Sequence, residues 1–280
     1  MARGLGERTL TRLVRVHYRV YGLRPPESVL EDAQAVELVL RGRRVFGFET
    51  AAQLRGLPAV GDWEWRPGPR LHVVALDQGR TRLSTVQTHR GSAPVGVGAL
   101  PRLSTPVASG PDVFAQLAAT LSLMDLVILG DAVVGWRSGV DVARLAEAIH
   151  PGTAGAARAR AALALVRAGS ASPMETRVRL LLHDAGLPEP LLNAPVVEGR
   201  TWLATVDFLW PRHRLVVEYY GGHHFRSDEQ RLGDLHRVRR LRDHGYRVEE
   251  ITRLDLREPD RVVARVSTAL ADQERLLRLV

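Results

Sequence analysis

Asp207 and Glu218 are carboxylates set into an otherwise apolar stretch, TWLATVDFLWPRHRLVVEYYGGHHF, which spans 201–225. On either side of a Pro-Arg-His break the residues alternate or run apolar, a pattern that predicts a β-hairpin. If the turn centres on Arg212 and His213, the numbers of paired residues sum to 425, and Asp207 lies directly opposite Glu218. A two-residue or four-residue loop gives this register, whereas a loop of odd length shifts it by one residue.

Two carboxylates held face to face repel each other, because directly opposed side chains have Cβ atoms about 4.5–5.5 Å apart. A shared proton, a neighbouring Arg or a divalent cation would offset that repulsion. The other interpretation is that both carboxylates are exposed on a solvated strand face. The predicted register places Thr205, Leu209, Val216 and Tyr220 on the carboxylate face. It places on the opposite face the residues Val206, Phe208, Trp210, Leu215, Val217 and Tyr219.

The composition favours a polyanionic partner and excludes thiol chemistry. The 280 residues include 39 basic side chains, all of them Arg, against 31 acidic ones, for a formal net charge of +8. Such an excess attracts polyanions, and Arg can bind phosphate in a bidentate manner. Cys is absent from the sequence, so disulfides and Cys-ligated zinc are excluded. The sequence shows no signal-peptide pattern and no membrane span, and we expect a cytoplasmic protein.

The elements that position these carboxylates follow from the periodicity of the chain. Residues 1–169 are predicted to form an α+β unit that contains a basic cluster, Arg41, Arg43 and Arg44. Its predicted helices lie near 10–21, 28–40, 48–57, 112–127, 140–149 and 156–168, with Asp112 as an N-cap. Its predicted strands lie near 71–76 and 83–89, and a loop covers 91–111.

A second unit, 170–280, begins with a capping box in which Ser172 is the N-cap, Pro173 is N1 and Glu175 is N3. The periodicity that follows predicts a strand, the central hairpin, a helix over 228–242, a strand over 246–252 and a last helix. The element order α-β-β-β-α-β-α indicates an α/β fold, a mixed sheet with helices on its faces. In the helix over 228–242 an apolar stripe is predicted, with Arg237 and Arg240 turned away from it; the stripe is Leu232, Leu235, Val238 and Leu241.

Five motifs of the second unit occur in order: SPMETR at 172–177, VDFLWP at 206–211, VEYYGGHH at 217–224, DLHR at 234–237 and GYRV at 245–248. With these motifs, residues 170–255 resemble the PD-(D/E)XK (restriction-endonuclease-like) superfamily. More closely, they resemble small domains related to very-short-patch-repair (Vsr) endonucleases. The first half is similar, more weakly, to the AbiEi-type antitoxin architecture through FETAAQLRGL at 48–57 and the helix over 112–131.

The resemblance implies a Mg²⁺- or Mn²⁺-dependent endonuclease that cleaves or nicks DNA. Asp207 and Glu218 would be the metal ligands, and His224 would carry a proton or bind phosphate. Glu175 would contribute from the first helix, although the capping box alone explains it. Four basic residues are candidates for phosphate contacts, and the other interpretation of each is a solvated surface charge: Arg226, Arg231, Arg237 and Arg240. For Arg237, a structural ion pair with Asp234 is the preferred interpretation over a catalytic role.

One departure from the family pattern leaves a second function open. The superfamily places Lys two residues after the second carboxylate, and close relatives place Asp there, whereas this chain has Tyr220. The alternative is therefore a nuclease fold kept as a DNA-binding or antitoxin-like regulator without catalysis. Tyr220 favours the regulator, and the presence of Asp207, Glu218 and His224 favours the enzyme. Binding of RNA is a third possibility, for which the sequence has no aromatic stacking signature.

Overall fold

The computed structural model describes residues 13–58, 60, 70–79, 81, 83–90, 96–135, 139–221 and 228–279, with the backbone alone at 228–232 and 234. The fold is α/β, as predicted, with helices packed on mixed sheets. The chain forms two compact units: Met1–Val133 with Val140–Val166, and Val134–Gly139 with Arg167–Val280. Within the described ranges, every helix is too short or too polar to cross a membrane.

The first unit contains a two-stranded hairpin and a five-stranded mixed sheet with the strand order β5-β4-β3-β7-β6. Strand β4 pairs antiparallel with β3 and parallel with β5. The elements in chain order are β1 (Val14–His17), β2 (Val20–Gly22), α1 (Val29–Glu37), β3 (Arg44–Phe46), α2 (Phe48–Leu54), β4 (Leu71–Ala75), β5 (Val86–Arg90), β6 (Val97–Gly98), β7 (Val107–Ala108), α3 (Gly110–Leu117), α4 (Leu123–Val133), α5 (Val142–Glu147) and α6 (Ala156–Leu165).

Three predictions for this unit are wrong. The loop expected over 91–111 contains, in its described part, the strands β6 and β7 and the first residues of α3. The helix expected near 10–21 is the hairpin β1–β2 in its described part, because alternating β-branched residues favour a strand there. The single long helix beginning at Asp112 is two helices, α3 and α4. Ser109, not Asp112, is the N-cap of α3, and the hydroxyl of Ser122 accepts the Asp125 N–H (3.1 Å) before the first turn of α4.

The second unit confirms the predicted order α-β-β-β-α-β-α. Its four-stranded sheet has the order β11-β10-β9-β8, in which β10 and β11 are parallel and the other neighbours antiparallel. The elements are α7 (Pro173–Asp184), β8 (Leu191–Glu198), β9 (Thr201–Trp210), β10 (Leu215–Tyr220), α8 (Asp228–Asp243), β11 (Arg247–Thr252) and α9 (Pro259–Leu277). Short 3-10 turns lie at Pro211–His213 and Asp255–Arg257.

The register of the central hairpin is confirmed over three pairs. Strands β9 and β10 pair as Leu215 with Trp210, Val216 with Leu209 and Val217 with Phe208, each pair summing to 425. The loop has four residues, in which the 3-10 turn is followed by a left-handed residue, Arg214 (φ 46°, ψ 39°). An even loop length was required for this register, and the four-residue form supplies it.

The sheet of the second unit is covered on both faces. Helices α7 and α9 pack on one face through Val178, Leu182, Val262 and Val266, against Phe208, Trp210, Leu215, Val217 and Ile251. Helix α8 packs on the other face through Val238 and Leu241, against Ala204, Val206, Leu209, Val216 and Val248. Val206 was predicted on the face of Phe208, and this is wrong. Between the two residues, β9 passes the left-handed Asn193 (φ 43°) of β8, where the regular alternation of faces breaks.

Candidate active site

Asp207 lies where the pairing of β9 with β10 ends. The next pair of the register would join Asp207 to Glu218, but the Oδ2 atom of Asp207 instead accepts the backbone N–H of Tyr219 (2.8 Å). The pKa of Asp207 is raised to about 6, chiefly by burial and in smaller part by the charge of Glu175. The Tyr219 hydrogen bond and the charge of Arg237 act in the opposite direction. Asp207 is therefore a poorly solvated carboxylate beside other charged groups.

Glu218 follows on β10 and is 4% exposed. Its Oε1 atom lies 2.9 Å from Nη1 of Arg237, which also donates to the carbonyl oxygen of Thr205 (3.3 Å). Arg237 was predicted to point away from the packed face of α8, and this is wrong. Leu235, which was predicted in the buried apolar stripe of α8, is instead 67% exposed. Helix α8 turns its Arg237 side, and not its Leu235 side, toward Glu218 of β10.

Glu175 occupies the predicted capping box at the start of α7. The Ser172 hydroxyl donates to Oε1 of Glu175 (2.9 Å), and the Glu175 N–H donates back to that hydroxyl (3.2 Å). Its Oε2 atom accepts the backbone N–H of Ala171 (2.8 Å) and the side-chain amide of Asn193 (2.7 Å). Three donors thus hold this buried carboxylate, which supports its structural role, while its charge acts on Asp207.

Asn193 is a site residue that the sequence analysis missed. Its backbone is left-handed, a conformation that Asn tolerates better than most residues. Its amide group donates to the carbonyl oxygen of Gly169 (2.7 Å) as well as to Glu175, and so joins β8 to the start of α7. The only signal in LLNAPVV is a polar residue inside an apolar strand, which does not identify its partners.

The remaining predicted site residues divide into two groups. Arg240 is exposed, and its guanidinium carbon lies 5.7 Å from the ring centroid of Trp202, apart from the carboxylates. His224 and Arg226 lie outside the described residues, as do the side chains of Arg231 and Asp234. The structure thus places Arg237 on Glu218, and it places Asp207 within reach of the charges of Glu175 and Arg237.

The site offers hard oxygen ligands but not a complete cage for a metal. In the described part of the chain, no three His, Asp or Glu side chains are grouped so as to hold a metal ion. Mg²⁺, however, is commonly bound by one or two carboxylates, with water and substrate phosphate completing its shell. Among the residues that the structure describes, Oδ2 of Asp207 accepts a hydrogen bond and Oδ1 accepts none. Asp207 and Glu218 are carboxylates of the type that such a site uses, and Glu218 is paired with Arg237 in this structure.

Comparison with known proteins shows two relatives that match over almost their whole length. They are described as "Uncharacterized protein Rv2248" of Mycobacterium tuberculosis strain H37Rv and "Uncharacterized protein MT2308" of strain CDC 1551. Each is 31% identical to this chain over 269 residues, which cover 92% of both sequences. No family model and no solved structure matches the chain.

Proposed function

The chain belongs to the same family as the Mycobacterium tuberculosis proteins Rv2248 and MT2308, and we propose that it is a metal-dependent DNA endonuclease. Asp207 and Glu218 are its proposed metal ligands, and Mg²⁺ or Mn²⁺ its proposed cofactor. The proposed setting is the cytoplasm, where DNA is the polyanion that the net charge of +8 favours.

The observation that carries this proposal is the partly buried carboxylate of Asp207, on which the charge of Glu175 acts. It follows the last pair that β9 forms with β10, at the position that the continued register would place opposite Glu218. A carboxylate whose pKa is raised to about 6 is unfavourable in its charged form at neutral pH. Strongly shifted carboxylates in proteins are concentrated at functional sites. A divalent cation between Asp207 and Glu218 would stabilise both charges, so the arrangement is best explained by a ligand of that charge.

Each side chain has a separate part in phosphodiester hydrolysis. Asp207 and Glu218 would hold the cation, which supplies an activated water and stabilises negative charge on the phosphate. The Tyr219 N–H fixes the orientation of the Asp207 carboxylate, and Asn193 with Ser172 fixes Glu175 behind it. Arg237 offers a guanidinium to the same edge, where it can bind a phosphate oxygen once Glu218 has engaged the cation.

The test compares the wild type with Asp207→Asn, and with Asp184→Asn as a matched control. Asp184 is an exposed residue at the end of α7, so the control removes the same charge elsewhere in the unit. Mg²⁺ and Mn²⁺ are titrated into each protein by calorimetry, and supercoiled plasmid is incubated in parallel. We expect metal binding and nicking in the wild type and the control, and neither in Asp207→Asn. Cleavage retained in Asp207→Asn would contradict the assignment.

A regulator without catalysis is the second candidate, and the ion pair of Glu218 with Arg237 favours it. A guanidinium 2.9 Å from the carboxylate occupies the place of a cation, and Tyr220 stands where the family has Lys or Asp. On this alternative the wild type would bind duplex DNA in a salt-sensitive gel shift, with no metal binding and no cleavage. The same set of proteins and measurements therefore separates the two functions.

A further inference from the structure

A basic cleft in the first unit matches no part of the proposed nuclease site. It has a volume of about 660 Å³ and is lined by Tyr18, Arg19, Arg41, Arg44 and Asp77, among others. This size lies within the range of small-molecule sites. The cleft includes two members of the basic cluster seen in the sequence, for which the nuclease proposal gives no role.

The floor of the cleft is a fixed ion pair. Arg44 is 6% exposed and donates from Nη1 to Oδ1 of Asp77, whose two oxygens also accept the backbone N–H groups of Gly79 and Arg43 (2.9 Å each). These donors keep the pKa of Asp77 below its usual value. A Cβ on Gly42 would overlap Asp77, and one on Gly79 would lie 2.9 Å from Nη2 of Arg44, so the backbone closes directly over the pair.

The side chains that line the cleft carry more positive than negative charge. Asp77 neutralises Arg44, whereas Arg19 and Arg41 form no ion pair with any residue that the structure describes. The Nε atom of Arg44 is buried without a hydrogen-bond partner in the described part of the cleft. A buried donor without a partner is unfavourable, and a phosphate oxygen would satisfy it.

An aromatic ring stands at the edge of this positive surface. Tyr18 and Arg19 form the turn of the hairpin β1–β2, where Arg19 has a left-handed backbone (φ 64°) in place of the usual Gly or Asn. Tyr18 is 55% exposed, and the guanidinium carbons of Arg15 and Arg19 lie 5.7 and 5.6 Å from the centroid of its ring. Rings and guanidinium planes are the surfaces on which unpaired bases stack.

The hairpin is anchored so that this turn stays beside the cleft. His17 is 4% exposed, and its ring nitrogens lie 2.7 Å from Oδ1 of Asp32 and 2.9 Å from Oγ1 of Thr85. Asp32 belongs to α1, and Thr85 follows the Leu83 that lines the cleft. A turn with strained backbone that is held by buried hydrogen bonds is typical of a binding site.

We propose that the cleft of Tyr18, Arg19, Arg41 and Arg44 binds a nucleotide unit, its phosphate on the Arg side chains and its unpaired base on Tyr18. The nucleotide can be free or part of a single strand, since both offer the same base and phosphate. This site lies in the first unit and goes beyond the proposed endonuclease centre. The distribution of charge supports a polyanion site in this part of the chain. Residues 1–166 contain 20 Arg and 14 acidic residues, whereas residues 167–280 contain 19 Arg and 17 acidic residues.

The experiment is photochemical cross-linking of the full chain to a single-stranded oligonucleotide that contains 5-iododeoxyuridine. EDTA is present, so cleavage cannot interfere. We expect an adduct in the peptide that carries Tyr18, identified by mass spectrometry. Its yield should fall about tenfold in Arg41→Gln and stay unchanged in Arg160→Gln, an exposed Arg of α6 that matches the loss of charge. Tyr18→Leu, which alters only an exposed ring, should remove the adduct as well.

Competition separates the two sources of the nucleotide. If millimolar dTMP suppresses the adduct, the cleft binds a free nucleotide. If only unlabelled oligonucleotide suppresses it, the cleft binds a nucleotide within a single strand. Either result supports the site. Equal yields in Arg41→Gln and Arg160→Gln, or adducts confined to 167–280, would overturn it. Asp207→Asn should leave the Tyr18 adduct intact, so failure of the endonuclease proposal and failure of this one give different results.

Discussion

At the scale of single residues, Asp207 combines a functional position with an unfavourable charge. Its pKa of about 6 in the folded protein lies above the ordinary value of 3.8, so folding favours the protonated form. The contribution of Asp207 to the free energy of unfolding is then largest below pH 3.8, decreases as the pH rises to about 6, and is level above it. Selection for stability alone would not retain such a carboxylate, which agrees with a role in binding a cation.

We expect Asp207→Asn to stabilise the protein at pH 7 by about 1–3 kcal/mol, because it removes the charged form and its amide oxygen can still accept the Tyr219 N–H. The difference should vanish near pH 4, where the wild-type carboxyl is protonated. Thermal unfolding followed at pH 7 and pH 4 measures both effects, with Asp184→Asn as the control that changes neither. A destabilised Asp207→Asn protein with unchanged pH dependence would contradict the pKa assignment.

A histidine cluster in the first unit leads to a second prediction at this scale. His89 stacks on Phe48 with ring centroids 3.7 Å apart, and its Nε2 atom lies 3.2 Å from Nδ1 of His72. His72 in turn lies 2.8 Å from Oε2 of Glu49. Burial, together with the charge of His72, lowers the pKa of His89 below 6.5. The neutral ring is therefore the form that the fold favours.

Its lowered pKa means that His89 contributes stability that is complete above pH 6.5 and is lost as the pH falls from 6.5 toward the folded value. We expect the melting temperature of His89→Gln to decrease less between pH 7 and pH 5 than that of the wild type. This comparison holds even if the two proteins differ in stability at pH 7. His183→Gln, which alters an exposed His on α7, is the control and should keep the wild-type slope. An unchanged slope in His89→Gln would show that His89 does not titrate in this range.

At the scale of elements, two helical glycines have opposite surroundings. A Cβ at Gly130 of α4 would overlap Cγ2 of Val166 and lie 3.1 Å from Cε2 of Phe114, whereas a Cβ at Gly233 of α8 meets nothing within 4 Å among the described residues. Ala is the better helix former at both positions, by up to about 1 kcal/mol. Packing therefore decides whether substitution of Gly130 by Ala stabilises or destabilises the protein, whereas helix propensity decides this at Gly233.

We expect Gly130→Ala to destabilise the protein by about 1–3 kcal/mol, because the added methyl forces α4 away from Val166 and Phe114. Gly233→Ala should stabilise it by a few tenths to about 1 kcal/mol. Urea unfolding of both variants beside the wild type measures the two changes. If the Gly130 variant were the more stable one, the close approach of α4 at this point would be refuted.

Elements with strong periodicity were predictable from the sequence, and those decided by distant contacts were not. The capping box at Ser172 and the hairpin around Pro211 carry local signals, and both were placed correctly. The hairpin β1–β2 was predicted as a helix although its Val residues alternate. The contacts of His17 with Asp32 and Thr85, which hold the hairpin in place, are distant in sequence and carry no local signal. At the site, the sequence predicted the direct opposition of Asp207 and Glu218, but the pairing of β9 with β10 ends at Phe208 and Val217. The contact of Arg237 with Glu218 is set by the packing of α8.

At the scale of the whole molecule, the sheet that carries the candidate active site and most of the net positive charge come from different parts of the chain. The four-stranded sheet of the second unit, and the helices that cover its faces, come from residues after 167. The larger part of the positive charge comes from before it, since 1–166 has an excess of six Arg over acidic residues and 167–280 an excess of two. The parts proposed for chemistry and for attraction of polyanions thus belong to different segments of the chain.

A fragment of residues 167–280 should therefore fold by itself and keep its metal binding, while it loses most of its attraction to DNA. Because counterion release scales with the phosphates neutralised, we expect a shallower salt dependence of DNA binding than for the full chain. Circular dichroism and cooperative urea unfolding test the fold, and anisotropy of labelled duplex DNA at several salt concentrations tests the binding. An unfolded fragment would show that its sheet requires the first unit. A salt slope equal to that of the full chain would place the phosphate contacts on the second unit alone.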